Sequence, residues 1–168
     1  MIQHRTTILP ALVALASTAI LWGCSTSHKD LHKEVNPWIG TGGHGHTYPG
    51  ATTPFGMVQL SPDTRLEGWD GCGGYHDTDS IIYGFSHTHL QGTGVSDYGD
   101  VLVMPCTQYR DGATWRDKYK SGFQKSTERG HAGFYEVTLE DHNIHAELTS
   151  TPRVGIHRYC LLYTSPSP

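Results

Sequence analysis

Between Asp63 and His76 the chain reads Asp63-Thr64-Arg65-Leu66-Glu67-Gly68-Trp69-Asp70-Gly71-Cys72-Gly73-Gly74-Tyr75-His76. Glycines surround Trp69, Asp70 and Tyr75, so the backbone can bend sharply while acidic and aromatic groups project from a loop. An indole face beside hydrogen-bonding acids suits a sugar. The C–H face of the sugar packs on the ring, and its hydroxyls pair with the polar groups. The competing reading is that Trp69 is an ordinary core residue. Two His-x-His pairs, His44-Gly45-His46 and His87-Thr88-His89, offer a second chemistry. On a strand, residues i and i+2 share a face, so each pair has the spacing to ligate zinc. No cysteine cluster and no His-x-His-x-Asp-His run accompanies them. Imidazoles that hydrogen-bond a ligand or the glycine-rich backbone are the preferred reading, and no metal ligand is assigned. Gly92-Thr93-Gly94 and Thr41-Gly42-Gly43 precede no helix pattern with a lysine, so they do not point to a nucleotide.

The elements that must position these groups are short and extended. Hydrophobic residues make up 36% and charged residues 17% of the 168, with 20 Gly and 9 Pro. Gly and Pro break helices, which argues against a helical bundle or a coiled coil. A set of 4 Trp, 9 Tyr and 4 Phe supplies large rings for a core and argues against disorder. The formal charge of −4 provides no basic face for nucleic acid. Gly56–Leu60, ended by Ser61-Pro62-Asp63, reads as an extended run, as do Ile81–Phe85 and Val101–Met104. Arg110–Arg129 reads as a polar, exposed stretch. Alternation then predicts strands over Phe134–Leu139, Ile144–Thr149 and Val154–Tyr159, with a tight turn at Glu140–Asn143. The expected fold is mainly β, an antiparallel β-sandwich.

Residues 1–23 read as a signal peptide of the lipoprotein type: a basic start at His4 and Arg5, an apolar run from Ile8 to Leu21, and Gly23 before Cys24. The run is shorter than the ~20 residues a membrane helix needs. Cys24 is the expected lipidation site, although Trp22 departs from the residue usual in a lipobox. Residues 24–34 form a tether. Lipidation at Cys24 leaves Cys72, Cys106 and Cys160, an odd number, so at least one thiol stays unpaired if disulfides form. The expected location is exported and membrane-anchored, either periplasmic or on the cell surface. Residues 160–168 form an atypical tail in which a strand runs into Ser165-Pro166-Ser167-Pro168, native or foreign, and the chain reads as a fragment.

Several ordered motifs then resemble one family. Val35-Asn36-Pro37-Trp38-Ile39-Gly40-Thr41-Gly42-Gly43, Tyr48-Pro49-Gly50-Ala51-Thr52-Thr53-Pro54-Phe55-Gly56-Met57-Val58 and Trp69-Asp70-Gly71-Cys72-Gly73-Gly74-Tyr75 are similar to the opening of the glycoside hydrolase family 92 exo-α-mannosidases. So are Gly84-Phe85-Ser86-His87-Thr88-His89-Leu90 and Arg153-Val154-Gly155-Ile156-His157-Arg158-Tyr159. The resemblance covers residues 35–159. It implies an N-terminal β-sandwich, incomplete here, packed on an (α/α)6 catalytic barrel that this sequence lacks. It also implies calcium-dependent, inverting release of terminal mannose from glycans, with the catalytic carboxylates and the main Ca2+ ligands in the missing domain. No catalytic residue is expected in this fragment, which should be inactive alone. Its expected partners are mannose-containing glycans, its own catalytic domain and, through the lipid, a membrane. Trp69 matches the family's aromatic residue near the leaving-group sugar, and Asp70, Cys72, His87 and His89 are further substrate-binding candidates from the same motifs. A stand-alone, non-catalytic carbohydrate-binding sandwich is the alternative, and a zinc hydrolase is a more distant third.

Overall fold

The structure is a computed structural model that describes residues 30–162 except 93 and 113. The predicted signal peptide, Cys24 and all but the first few residues of the predicted tail lie outside the described residues. Among those described, no helix is long and apolar enough to cross a membrane.

Among the described residues, nine antiparallel strands form three sheets. β1 (Ala51–Thr52), β2 (Gln59–Asp63) and β4 (Gly84–Ser86) make the first, in the order β1-β2-β4. β3 (Ile81–Ile82) and β5 (Ser121–Gly122) pair with each other, and β6 (Arg129–His131), β7 (Phe134–Leu139), β8 (Ile144–Ser150) and β9 (Gly155–Leu161) form a meander. The alternation read from sequence is realised in β7 and β8. Tyr135, Val137 and Leu139 point inward from one, and Ile144, Ala146 and Leu148 from the other. They meet Ala51, Leu60, Ile82, Phe85 and Phe123 in one core, so the small sheet closes over the meander as a sandwich. The β7–β8 turn falls at Glu140–Asn143, as predicted, with Asn143 at φ 50. A buried carboxylate ties the core together. Glu128 accepts hydrogen bonds from the Tyr135 hydroxyl at 2.7 Å and the Tyr75 hydroxyl at 2.9 Å, with Lys125 3.3 Å away.

Four expectations are corrected. The run Gly56–Leu60 does not stop at Ser61-Pro62-Asp63; β2 begins at Gln59 and continues through Pro62 to Asp63. Pro62 is tolerated because its partner Phe85 exchanges both backbone hydrogen bonds with Val103 on the other side, leaving no donor required of the proline. Val101–Met104 forms no strand, only the single bridge at Val103. The stretch Arg110–Arg129 is not uniformly exposed. It holds α1 (Trp115–Tyr119) and β5, and it buries Ser121 and Phe123; a single buried ring set among polar neighbours leaves no periodic signal in the sequence. Finally, β9 carries its pairing past Tyr159: Cys160 lies opposite His145 and Leu161 opposite Ile144.

Candidate functional site

β2 ends at Asp63, and the chain then makes the glycine-rich loop singled out above. Its neck is closed by the carbonyl of Gly74, which accepts from the amides of Thr64 at 2.8 Å and Arg65 at 3.1 Å. Asp79 braces the same segment, bound by the Arg65 guanidinium at 2.5 Å and the Thr64 hydroxyl at 2.9 Å. Between these anchors Gly68, at φ 86, turns the chain into a single 3-10 turn, Trp69–Gly71. A side chain at Gly68 would be strained in that conformation.

Trp69 is displayed, not buried. It is 56% exposed, which removes the core reading. Its ring is held from two sides: the His44 ring lies 4.9 Å away, tilted, and the His46 ring 4.7 Å away, edge-on. Gly94 lies at its edge, where any Cβ would overlap the indole nitrogen. Asp70 sits between the same two imidazoles, with Oδ1 2.6 Å from His44 Nδ1 and 3.4 Å from His46 Nε2. The His44 hydrogen bond holds the Asp70 carboxyl below its usual range; desolvation opposes it, and the weaker His46 hydrogen bond adds to it. Asp70 is therefore an anion at neutral pH, a hydrogen-bond acceptor rather than a proton donor.

The other candidates divide. Cys72 is buried beneath the turn, and burial pushes its thiol up, so it is a poor nucleophile. None of Cys72, Cys106 and Cys160 is in a disulfide. His89 is also buried. Its Nε2 lies 3.1 Å from Asp63 Oδ1 and 3.1 Å from Ser86 Oγ, and its Nδ1 lies 2.7 Å from the Gln59 carbonyl. Burial opposes charge on this ring, but Asp63 and the Gln59 carbonyl prevail and raise its pKa. Ser, His and Asp meet here without the geometry of a nucleophile. The carboxylate and the hydroxyl share one ring nitrogen, and all three groups are buried. His87 turns away from the loop toward β9, 3.1 Å from His157. Trp69 and Asp70 thus share a surface, Cys72 and His89 support it from within, and His87 stands apart. A cleft of about 940 Å³ is lined by Arg65, Asp79, Tyr83, Arg116 and their neighbours and does not include Trp69.

Sequence spacing found the two His-x-His pairs but not the closing of Asp70 on His44 and His46, since nothing local links residues 24 and 26 apart. Asp63 was likewise silent as the partner of His89, although a carboxylate at the end of an otherwise buried strand is a usable signal.

A family model described as the glycosyl hydrolase family 92 N-terminal domain matches residues 34–165. The chain belongs to glycoside hydrolase family 92. A family 92 α-mannosidase from Bacteroides thetaiotaomicron, solved in complex with mannoimidazole, is 40% identical with a TM-score of 0.72, covering 78% of this chain and 18% of its own. A family 92 inverting mannosidase from the same organism is 28% identical with a TM-score of 0.68, covering 82% and 19%. A curated relative from Arthroderma benhamiae, an uncharacterized secreted glycosidase, is 29% identical over 140 residues, 77% of this chain and 17% of its own. This family 92 domain therefore spans less than a fifth of the length of these relatives, with the mainly antiparallel β architecture expected of it.

Proposed function

We propose that this chain is the N-terminal domain of an exported, calcium-dependent, inverting exo-α-mannosidase, and that it supplies the rim of the sugar site around Trp69. The observation that carries the reading is the exposed Trp69 ring, set on a glycine-flanked turn beside the anionic Asp70. It belongs to a chain 40% identical to an α-mannosidase solved with mannoimidazole. An indole presents a flat apolar face to the sugar, and Asp70 accepts from its hydroxyls.

Inversion needs one carboxylic acid to protonate the leaving oxygen and one carboxylate to activate water on the opposite face. Asp70 is too acidic to be that acid, and Asp63 is buried against His89. Both catalytic groups are assigned to the part of the relatives' length that this chain does not cover. Calcium takes six to eight oxygen ligands. Among the described residues, both clusters with metal-ligand spacing, His44–His46–Asp70 and Glu136–His145–Glu147, contain imidazole nitrogen. Neither suits calcium, and its ligands are assigned to the same uncovered part. Export with a lipid at Cys24 rests on the Gly23-Cys24 sequence and on the relative described as secreted.

The test is hydrolysis of an α-mannobiose with calcium by the full reading frame and by the 168-residue chain. The long protein should turn over with inversion at the anomeric carbon, while the chain alone should not. Chelator-sensitive turnover by the chain alone, or none by the long protein, would overturn the reading.

A further inference from the structure

The same two imidazoles that flank Trp69 converge on one carboxylate oxygen. His44 Nδ1 and His46 Nε2 lie 2.6 and 3.4 Å from Asp70 Oδ1, and the three donor atoms all lie within 4.8 Å of one another. We propose that His44, His46 and Asp70 form a binding site for a divalent transition-metal ion of the zinc type, beside the Trp69 ring. The site shares Asp70 with the proposed sugar-contacting surface, but metal binding can be tested without mannosidase activity, and the site is separate from any calcium.

Geometry and donor chemistry both support it. In a tetrahedral zinc site with bonds of about 2.0–2.2 Å, neighbouring donors stand roughly 3.3–3.6 Å apart. The His46–Asp70 separation already has that value. The short His44–Asp70 contact must open, and His44 is the ligand free to do so, with a side chain 70% exposed against 6% for His46. His46 is the fixed post. It sits at φ 53, its carbonyl accepts from the Gly92 amide at 2.9 Å, and the preceding Gly45 lies so close to the Gly40 carbonyl that no Cβ fits there. Two imidazoles and one carboxylate prefer Zn2+, Co2+ or Ni2+ to the hard, oxygen-seeking Ca2+. Three protein ligands also leave a fourth position for water or a hydroxyl.

The second cluster with comparable spacing fails on charge. Glu136 and Glu147 face the His145 ring at 3.5 and 3.6 Å, but the Arg158 guanidinium already holds Glu147 at 2.7 Å and Arg129 lies 3.6 Å from Glu136. A cation there would meet two guanidinium groups. It therefore serves as the control.

The experiment titrates Zn2+ into the full 168-residue chain by calorimetry and repeats the titration with Co2+, read by its visible absorption. The expected result is one ion per chain, with affinity lowered at least about tenfold in His44→Ala and in Asp70→Asn. His145→Ala and excess Ca2+ should leave it unchanged. Because His44 is exposed, His44→Ala should keep the far-ultraviolet dichroism of the parent, which separates loss of a ligand from loss of fold. Co2+ should also quench a component of tryptophan fluorescence that disappears in Trp69→Phe. The proposal is overturned by absence of Zn2+ binding, by unchanged affinity in both His44→Ala and Asp70→Asn, or by a thiolate-to-cobalt absorption showing that cysteines hold the ion.

Discussion

His87 and His157 meet nitrogen to nitrogen, Nε2 to Nε2, at 3.1 Å. One ring must donate and the other accept. The Tyr159 hydroxyl lies 2.7 Å from His157 Nδ1 and donates to it, so His157 donates through Nε2 to His87, which in turn donates through Nδ1 to the Val101 carbonyl at 2.9 Å. The relay joins β9 to the segment after β4, and it satisfies every ring nitrogen while both histidines are neutral.

A pH dependence follows. Partial burial and the nearby His87 pull His157 down to about 4, while an unfolded histidine titrates near 6.5. Between those values the unfolded chain binds the extra proton, so stability is present above about pH 6.5 and is lost as pH falls toward 4. With solvent screening at this half-exposed ring, the loss should be about 1–2 kcal/mol. Urea unfolding at pH 7 and pH 4.5 should show it, and His157→Gln should reduce the difference. An unchanged pH slope in that variant would refute the assignment.

The opposite sign is expected at His89. Its folded pKa is raised, so its pairing with Asp63 stabilises fully below the unfolded value near 6.5 and fades as pH rises through the folded value. Gly74, at φ 78, packs directly on this pair; an added Cβ would stand 2.7 Å from Asp63 Oδ1 and 2.8 Å from His89 Cδ2. Gly74→Ala should therefore cost roughly 1–3 kcal/mol from backbone strain and displacement of the pair. It should also flatten the alkaline decline in stability. A neutral Gly74→Ala in thermal unfolding would show that the neck of the loop yields without consequence.

Legibility from sequence followed the range of the interactions. β7 and β8 were readable because Tyr135, Val137, Leu139, Ile144, Ala146 and Leu148 obey a period of two, and their turn is local. β2 was misjudged at its end, since Pro62 reads as a stop unless Val103 is known to satisfy Phe85. Trp69 was readable as displayed because its sequence neighbours are glycine or polar. The binding of His44 and His46 to Asp70, and of Asp63 to His89, joins residues two dozen or more positions apart, which no single-sequence pattern encodes.

The lipid anchor proposed at Cys24 makes a prediction of its own. A lipoprotein anchor carries several acyl chains, and more than one chain is what gives firm membrane retention. Cys24→Ser should move the protein to a soluble fraction or leave its precursor unprocessed, seen by fractionation and by mass. Unchanged membrane association of a mature-size product would remove the lipid anchor.

The last prediction concerns the indole itself. Trp69 is not part of the hydrophobic core cluster, and its two ring neighbours are the exposed His44 and the buried His46 imidazoles. Its removal should therefore leave stability nearly unchanged, within the ±0.5 kcal/mol or so of a surface substitution. In the full-length enzyme, Trp69→Ala should lower kcat/KM for an α-mannobiose by about 1–3 kcal/mol, the value of the lost packing area and ring contact. An aryl mannoside, whose good leaving group depends less on contacts in that subsite, should lose less. Gly94→Ala supplies an independent route to the same defect, since its Cβ displaces the indole without deleting it. Its kinetic profile should resemble that of Trp69→Ala in kind. If both substrates suffer equally in a folded Trp69→Ala enzyme, the ring does not contact the leaving sugar. If melting falls by many degrees instead, the ring holds the loop together and its exposure serves no ligand.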